Sequence, residues 1–106
     1  MTKLPVLRQW LAKNGFDWTE QVVSESGKFY VVLDVRSAAA PQPLTLLEQE
    51  VGRIDWQEPC ASAYASWKLK RFQKLAQQLK QAGVPEYSLW ESLAEETAAK
   101  LGRNPR

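Results

Sequence analysis

The sequence predicts an α+β fold in which a two-stranded antiparallel β-hairpin packs with four helices, the last two forming a long helical hairpin. Apolar residues recur at helical spacing near the N-terminus and through most of the C-terminal half. Between these regions, apolar and polar residues alternate on both sides of a Ser-Gly pair, a pattern typical of a hairpin. The 106 residues suffice for one hydrophobic core but not for two, so we expect a single domain.

An apolar stripe at helical spacing predicts the first helix at residues 3–14. The stripe consists of Leu4, Leu7, Trp10 and Leu11. Thr2 is suited to cap the start of this helix, and the Asn14-Gly15 pair is suited to end it.

The hairpin is predicted at residues 18–36, with its turn at Ser26-Gly27. A two-residue turn there places Glu25 opposite Lys28 and Val22 opposite Val31. In this register one face of the hairpin collects the apolar side chains of Trp18, Val22, Phe29, Val31, Leu33 and Val35. We expect this face to contact the core.

The remainder of the chain is predicted to be helical apart from a linker with two prolines. The predicted elements are the linker at 37–43, helices at 44–52, 59–82 and 86–101, and a loose tail at 102–106. Glu58 is expected to cap the long helix, with Pro59 at its first position. Ser88 and Glu91 have the spacing of a capping box for the last helix.

The residue types argue against an enzyme. The chain has no histidine, which removes the commonest general base and the commonest metal ligand. Cys60 is the only cysteine and cannot form an internal disulfide or hold a metal by itself. The acids Glu91 and Glu95 lie off the apolar stripe of the last helix, as expected for a solvated face. We therefore expect no catalysis, no cofactor and no metal.

The charge and hydropathy of the chain indicate its setting. The net charge of +2 is too small to indicate a polyanionic partner by itself. The N-terminal apolar run breaks at Arg8, so it does not resemble a signal peptide. No segment is long and apolar enough for a membrane span. We expect a cytoplasmic protein with no membrane partner.

One face of the long helix carries an aromatic residue among basic ones. At about 100° of rotation per residue, Trp67 lies among polar residues on the side of the helix away from its apolar stripe. These residues are Lys70, Arg71, Lys74 and Gln78. No acid occurs between Pro59 and Gly83, so no residue of the same helix neutralises these cations.

Two interpretations of this face are open. In the first, acids of the last helix neutralise the cations and Trp67 packs under the hairpin or the first helix. In the second, the face is exposed and binds a partner. Nucleic acid fits a face that combines cations with an aromatic residue able to stack on a base. A protein partner also fits, because Trp and Arg often anchor interfaces.

The resulting function prediction is a small non-enzymatic binding protein, most sharply a nucleic-acid-associated regulatory module that uses the Trp67 face. The alternative is a protein–protein adaptor or inhibitor, of the phage or plasmid accessory type, using the same face. A third hypothesis is an accessory subunit of an enzyme. Lys68, at the centre of the apolar stripe of the long helix, is expected to extend along Phe72 towards solvent.

Overall fold

The computed structural model describes residues 3–102, and within them it confirms the α+β prediction. The elements in chain order are α1 (Leu4–Lys13), β1 (Phe16–Glu25), β2 (Lys28–Ser37), α2 (Leu46–Glu50), α3 (Pro59–Gln81) and α4 (Tyr87–Lys100). The long helices α3 and α4 pack along each other as the predicted helical hairpin. Thr2, the predicted cap, and all of the predicted tail except Gly102 lie outside the described residues.

The predicted hairpin register is confirmed. Glu25 pairs with Lys28 and Val22 with Val31, within a ladder of ten consecutive pairs. Ser26 and Gly27 have φ angles of 53° and 77°, and two successive positive values are what a type I′ turn requires. The local turn signal and the apolar face therefore specify the same register.

The inward face of the hairpin is covered unevenly. On β1, Trp18 and Val22 are only 2% and 3% exposed. On β2, the inward residues are half-buried, and Val35 remains 42% exposed although it lies opposite Trp18. Helices α1 and α3 pack against β1, which explains this difference.

The predicted apolar stripe of α1 is wrong in two of its four residues. Leu11 is buried, but Leu7 is 43% exposed and Trp10 is 54% exposed. The helix instead buries Arg8 and Ala12 together with Leu11. It is rotated in this way because Arg8, which apolar patterning assigns to the surface, has a partner inside the protein.

That partner is Glu20 of β1, which points inward between Trp18 and Val22. Arg8 Nε donates to Glu20 Oε2 over 3.0 Å and Arg8 Nη2 donates to Oε1 over 2.7 Å, in a bidentate pair whose side chains are both fully buried. The same guanidinium donates to two backbone carbonyls, those of Gln49 at 2.9 Å and Val51 at 3.2 Å. One side chain thereby joins α1, β1 and the end of α2.

The Glu20 carboxylate is bound from other directions as well. Its Oε2 atom accepts from Trp18 Nε1 at 2.9 Å and from the backbone N–H of Arg53 at 3.0 Å. The Arg53 guanidinium lies 3.9 Å from the centroid of the Trp18 ring. Gly52 has a φ of +111°, and a Cβ there would overlap the Glu20 carboxylate and lie 2.7 Å from Arg8 Nη2. Only glycine fits against this buried pair.

The two long helices begin differently from each other. Glu58 caps α3 as predicted, since its carboxylate accepts from the N–H groups of Cys60 and Ala61. The predicted capping box of α4 is wrong. Glu86 already has helical dihedral angles, so Ser88 lies inside the first turn and its hydroxyl donates to the carbonyl of Pro85.

Helix α2 is shorter than predicted and has a capping box of its own. It spans Leu46–Glu50, within the predicted 44–52. The Thr45 side chain accepts from the N–H of Glu48, and the Glu48 side chain accepts from the N–H of Thr45. This short helix leads directly into the carbonyl groups that Arg8 binds, and it positions Glu50 beside α3.

The main hydrophobic core lies where α3 meets the sheet, α2 and α4. Its most enclosed side chains are Val51, Tyr64, Ala65 and Leu93, each 0–1% exposed. Between residues 3 and 102, no helix combines the length and the apolar character needed to cross a bilayer.

Candidate functional site

Four of the five predicted partner-binding residues line one groove along α3. Trp67, Arg71, Lys74 and Gln78 contribute to a groove of about 490 Å³. They lie together because their spacing of four, three and four residues keeps them on one stripe of the helix. Lys70 is exposed but does not line the groove, because it lies about 60° around the helix from Trp67.

All four helices contribute walls to this groove. Further lining residues that sequence reasoning left out of the site are Pro5 of α1, Glu50 of α2, Trp90 of α4, and Tyr64, Lys68, Phe72 and Leu75 of α3. The groove is therefore a concave surface lined by aromatic side chains, cations and one carboxylate. We call it the α3 groove.

Trp67 lies at the rim of the α3 groove, partly packed and partly open. Its ring centroid is 6.0 Å from those of Phe29 on β2 and Tyr64 on α3, so one edge rests on the hairpin. The side chain nevertheless remains 37% exposed. Trp67 thus combines the exposure that the second interpretation of this face requires with the hairpin contact that the first requires.

Arg71 is held in place by Trp67. Its guanidinium carbon lies 5.0 Å from the centroid of the Trp67 ring, within the range of a cation–π contact. Arg71 itself is exposed. A guanidinium that rests on an aromatic ring still presents its N–H groups along its edges, and these edges can bind an anionic group.

Lys68 extends into the groove and is half-buried. Its ammonium nitrogen lies 5.4 Å from the centroid of the Phe72 ring, in agreement with the expected path along Phe72. Burial lowers the pKa of Lys68 below its usual value of 10.5, while the nearby Glu50 carboxylate opposes this shift. A desolvated ammonium in a concave site is available to an anionic ligand.

The acids of α4 do not form ion pairs with the cations of the α3 groove. Within residues 3–102, the ion pairs of the protein are Arg8–Glu20, Arg53–Asp17 and Arg53–Glu48. Glu91 and Glu95 face a separate groove on the opposite side of the α3–α4 pair, with Lys80. Within residues 3–102, the ion pairing by α4 that the first interpretation expects is therefore not present, whereas the contact of Trp67 with the hairpin is.

Among residues 3–102, no group of three or more His, Cys, Asp or Glu side chains is arranged to hold a metal ion. Cys60 is half-buried near the start of α3 and forms no disulfide. The α3 groove offers aromatic faces, several cations and one carboxylate, which together suit a ligand with planar and anionic parts.

Comparison with known proteins adds no functional information. The chain matches no protein-family model, no curated protein and no solved structure.

Proposed function

We propose that this chain is a non-enzymatic regulatory protein that binds single-stranded nucleic acid in the α3 groove, in the cytoplasm. The observation that supports this most strongly is the position of Trp67. It is an exposed aromatic residue whose ring carries the Arg71 guanidinium, at the rim of a groove that also contains Lys68 and Lys74. Proteins that bind unpaired strands combine a basic groove with aromatic stacking faces in this way.

The concave shape favours an unpaired strand over a duplex. Reading a duplex requires a protruding helix or ribbon that enters a DNA groove. The face of α3 is instead recessed between walls from α1, α2 and α4. Its volume of about 490 Å³ is that of a small-ligand site and can accept a splayed base with its phosphate.

Trp67 and the charged residues of the groove each have a role in this proposal. Trp67 stacks on a base, while Arg71 and Lys74 bind phosphate groups through charge-assisted hydrogen bonds. Glu50 and Lys68 both line the groove and offer one acceptor and one donor to the edge of a base. The net charge of +2 is small, so affinity depends on this local concentration of cations.

The test is fluorescence anisotropy with a labelled single strand of about 12 nucleotides, titrated at about 50 and 200 mM salt. Affinity is expected to fall with salt. The double variant Arg71→Ala/Lys74→Ala should reduce the slope of log K against log salt by about 0.7 for each phosphate group that the variant no longer neutralises. Trp67→Ala should weaken binding by about 1–3 kcal/mol per stacked base and leave the slope unchanged.

Two controls make the result specific. Lys100→Ala removes one charge at an exposed position at the end of α4, outside the α3 groove, and should leave both affinity and slope unchanged. Thermal melts of every variant separate impaired binding from impaired folding, which matters because Trp67 also contacts Phe29. The proposal is refuted if the parent does not bind at low salt, or if the groove variants bind like Lys100→Ala.

A further inference from the structure

The free edge of β2 is long and regular. Within residues 3–102, β2 pairs with β1 alone, through ten consecutive pairs without a bulge. In an antiparallel ladder, alternate residues direct their N–H and C=O groups away from the partner, so this edge carries backbone groups free to pair. It also contains no proline. Prolines, bulges and charged side chains commonly block such an edge, and of these devices β2 has only the charges of Lys28, Asp34 and Arg36.

The β2 edge carries exposed apolar side chains on both faces of the sheet, beside the charged Lys28, Asp34 and Arg36 of the outward face. On the outward face, Tyr30 is 48% exposed and Val32 is 54% exposed. On the inward face, Val35 is 42% exposed and the other apolar residues are only half-buried. A further strand at this edge would cover side chains on both faces at once.

The edge of β1 has the opposite character. Its inward residues Trp18, Glu20 and Val22 are buried, with α1 and α3 packed against the strand, and Glu20 is charged. Its outward residues include the exposed polar side chains of Thr19, Gln21 and Glu25. An inward-pointing charge and a covering layer of helices both discourage pairing at an edge. The edge open to a new strand is therefore that of β2.

The sequence of β2 is complementary to itself when two copies run antiparallel about an axis through Val31. The facing residues are then Val31 with Val31, Phe29 with Leu33, Tyr30 with Val32, and Lys28 with Asp34 of the second copy. Every pair except the central one occurs twice by symmetry. A shift of the axis to Val32 would instead oppose Lys28 to Arg36 twice, which like-charge repulsion disfavours.

We propose that two copies of this chain associate through β2, antiparallel and about a twofold axis at Val31, to form a four-stranded sheet with the order β1-β2-β2-β1. The inward faces of both hairpins continue into one surface, so both α3 grooves lie on the same side of that sheet. This proposal rests on the strand edge alone and is independent of the function proposed for the groove.

Crosslinking tests the register. In a Cys60→Ser background, Val31→Cys places two thiols opposite each other, with Cα atoms about 5.5 Å apart, inside the range for a disulfide. Mild oxidation should convert this variant rapidly into a covalent dimer. Val32→Cys, whose copies face Tyr30 instead of each other, should crosslink more slowly, and Gln21→Cys on β1 should not crosslink above background. Equal rates for the three variants would overturn the proposal.

Charge exchange tests the same pairing without a covalent bond. Sedimentation over a range of concentrations should show that the parent dimerises. Asp34 is exposed. The substitution Asp34→Lys replaces both attractive Lys28–Asp34 pairs by repulsive lysine–lysine pairs and should weaken dimerisation roughly tenfold. Lys28→Asp should weaken it in the same way, yet a mixture of the two variants should form heterodimers, because both charge pairs are then attractive. A parent that stays monomeric up to about 1 mM, or variants that dimerise like the parent, would refute the proposal.

Discussion

Replacing Arg8 with methionine tests whether the buried ion pair determines how α1 packs against the sheet. Methionine retains the apolar length of the arginine stem but removes the charge. The change eliminates the two hydrogen bonds to Glu20 and the two to the carbonyl groups of Gln49 and Val51. The Glu20 carboxylate would keep Trp18 Nε1 and the N–H of Arg53 as donors, but no cation beside it in the interior.

The expected loss in the free energy of unfolding is about 3–5 kcal/mol, the range measured when one partner of a buried ion pair is removed. The upper part of this range is expected because both side chains are fully buried. Single domains of this size have a total stability of about 5–15 kcal/mol. Arg8→Met should therefore leave a protein that is folded but markedly less stable.

Urea unfolding followed by tryptophan fluorescence measures this loss. Lys13→Met is the matched control, an exposed cation on the same helix, and should change stability by no more than about 0.5 kcal/mol. In a double-mutant cycle, Arg8→Met/Glu20→Gln should cost less than the sum of the single changes, by about 0.5–3 kcal/mol. A loss below about 1 kcal/mol for Arg8→Met, or strict additivity, would refute this reasoning.

Two further predictions concern Gly52, which lies beside the buried ion pair, and Lys68, which lines the α3 groove. Gly52→Ala should lose more than about 2 kcal/mol, since it combines an unfavourable positive φ with overlap of the buried pair. Gly83→Ala, with a φ of +74° and open space around it, should lose only about 1–2 kcal/mol. Lys68→Met should stabilise the fold at neutral pH, because burial lowers the pKa of Lys68 by disfavouring its charged form. That gain should shrink as pH rises through the lowered pKa towards 10.5, where the unfolded chain also loses its proton.

A specific experimental result would contradict each of these predictions. Equal losses for the two glycine variants would mean that the space beside Glu20 is not restrictive. A Lys68→Met protein less stable than the parent, or a difference between them that does not change with pH, would mean that the ammonium is well solvated. The difference between variant and parent is the quantity to follow, because burial raises the pKa of Tyr64 and this lowers the stability of both proteins above about pH 10.

Local signals were sufficient to predict the hairpin. The turn residues Ser26 and Gly27, the Glu25–Lys28 pair and the alternating apolar face all specify one register, and the structure has that register. The start of α3 was predictable for a similar reason, because a cap and an N-terminal proline act within one turn of helix. Features of this kind depend on neighbours in the sequence, so patterning captures them.

The packing of α1 was not predictable in the same way. Apolar patterning treats a charged residue as exposed, and Arg8 is buried only because Glu20, twelve residues away, faces it. Glu20 stands between two apolar inward residues and could have been noticed as a charge on the core face. That signal would have identified a buried acid in need of a partner, but not which of the 14 basic residues supplies it.

The candidate site, too, was predictable from the sequence only in the part that depends on neighbouring residues of one helix. Helical spacing correctly grouped Trp67, Arg71, Lys74 and Gln78, because their common stripe follows from α3 alone. Recognition of the α3 groove also required Pro5 and Trp90, which only tertiary packing brings to that stripe. The structure thus converts a basic helix face into a concave site, and this shape is our reason for proposing an unpaired strand and not a duplex as the ligand.

The buried ion pair and the α3 groove are connected through α2. Glu50 lies between Gln49 and Val51, the two residues whose carbonyl groups accept hydrogen bonds from Arg8. The pair therefore fixes the backbone on both sides of Glu50, which lines the groove together with Lys68 and opposes the lowering of the Lys68 pKa. This constraint adds to the burial of Leu47 and Val51, which already anchors the five-residue helix in the core. The burial of Arg8 thus serves the charge arrangement of the groove as well as the packing of α1.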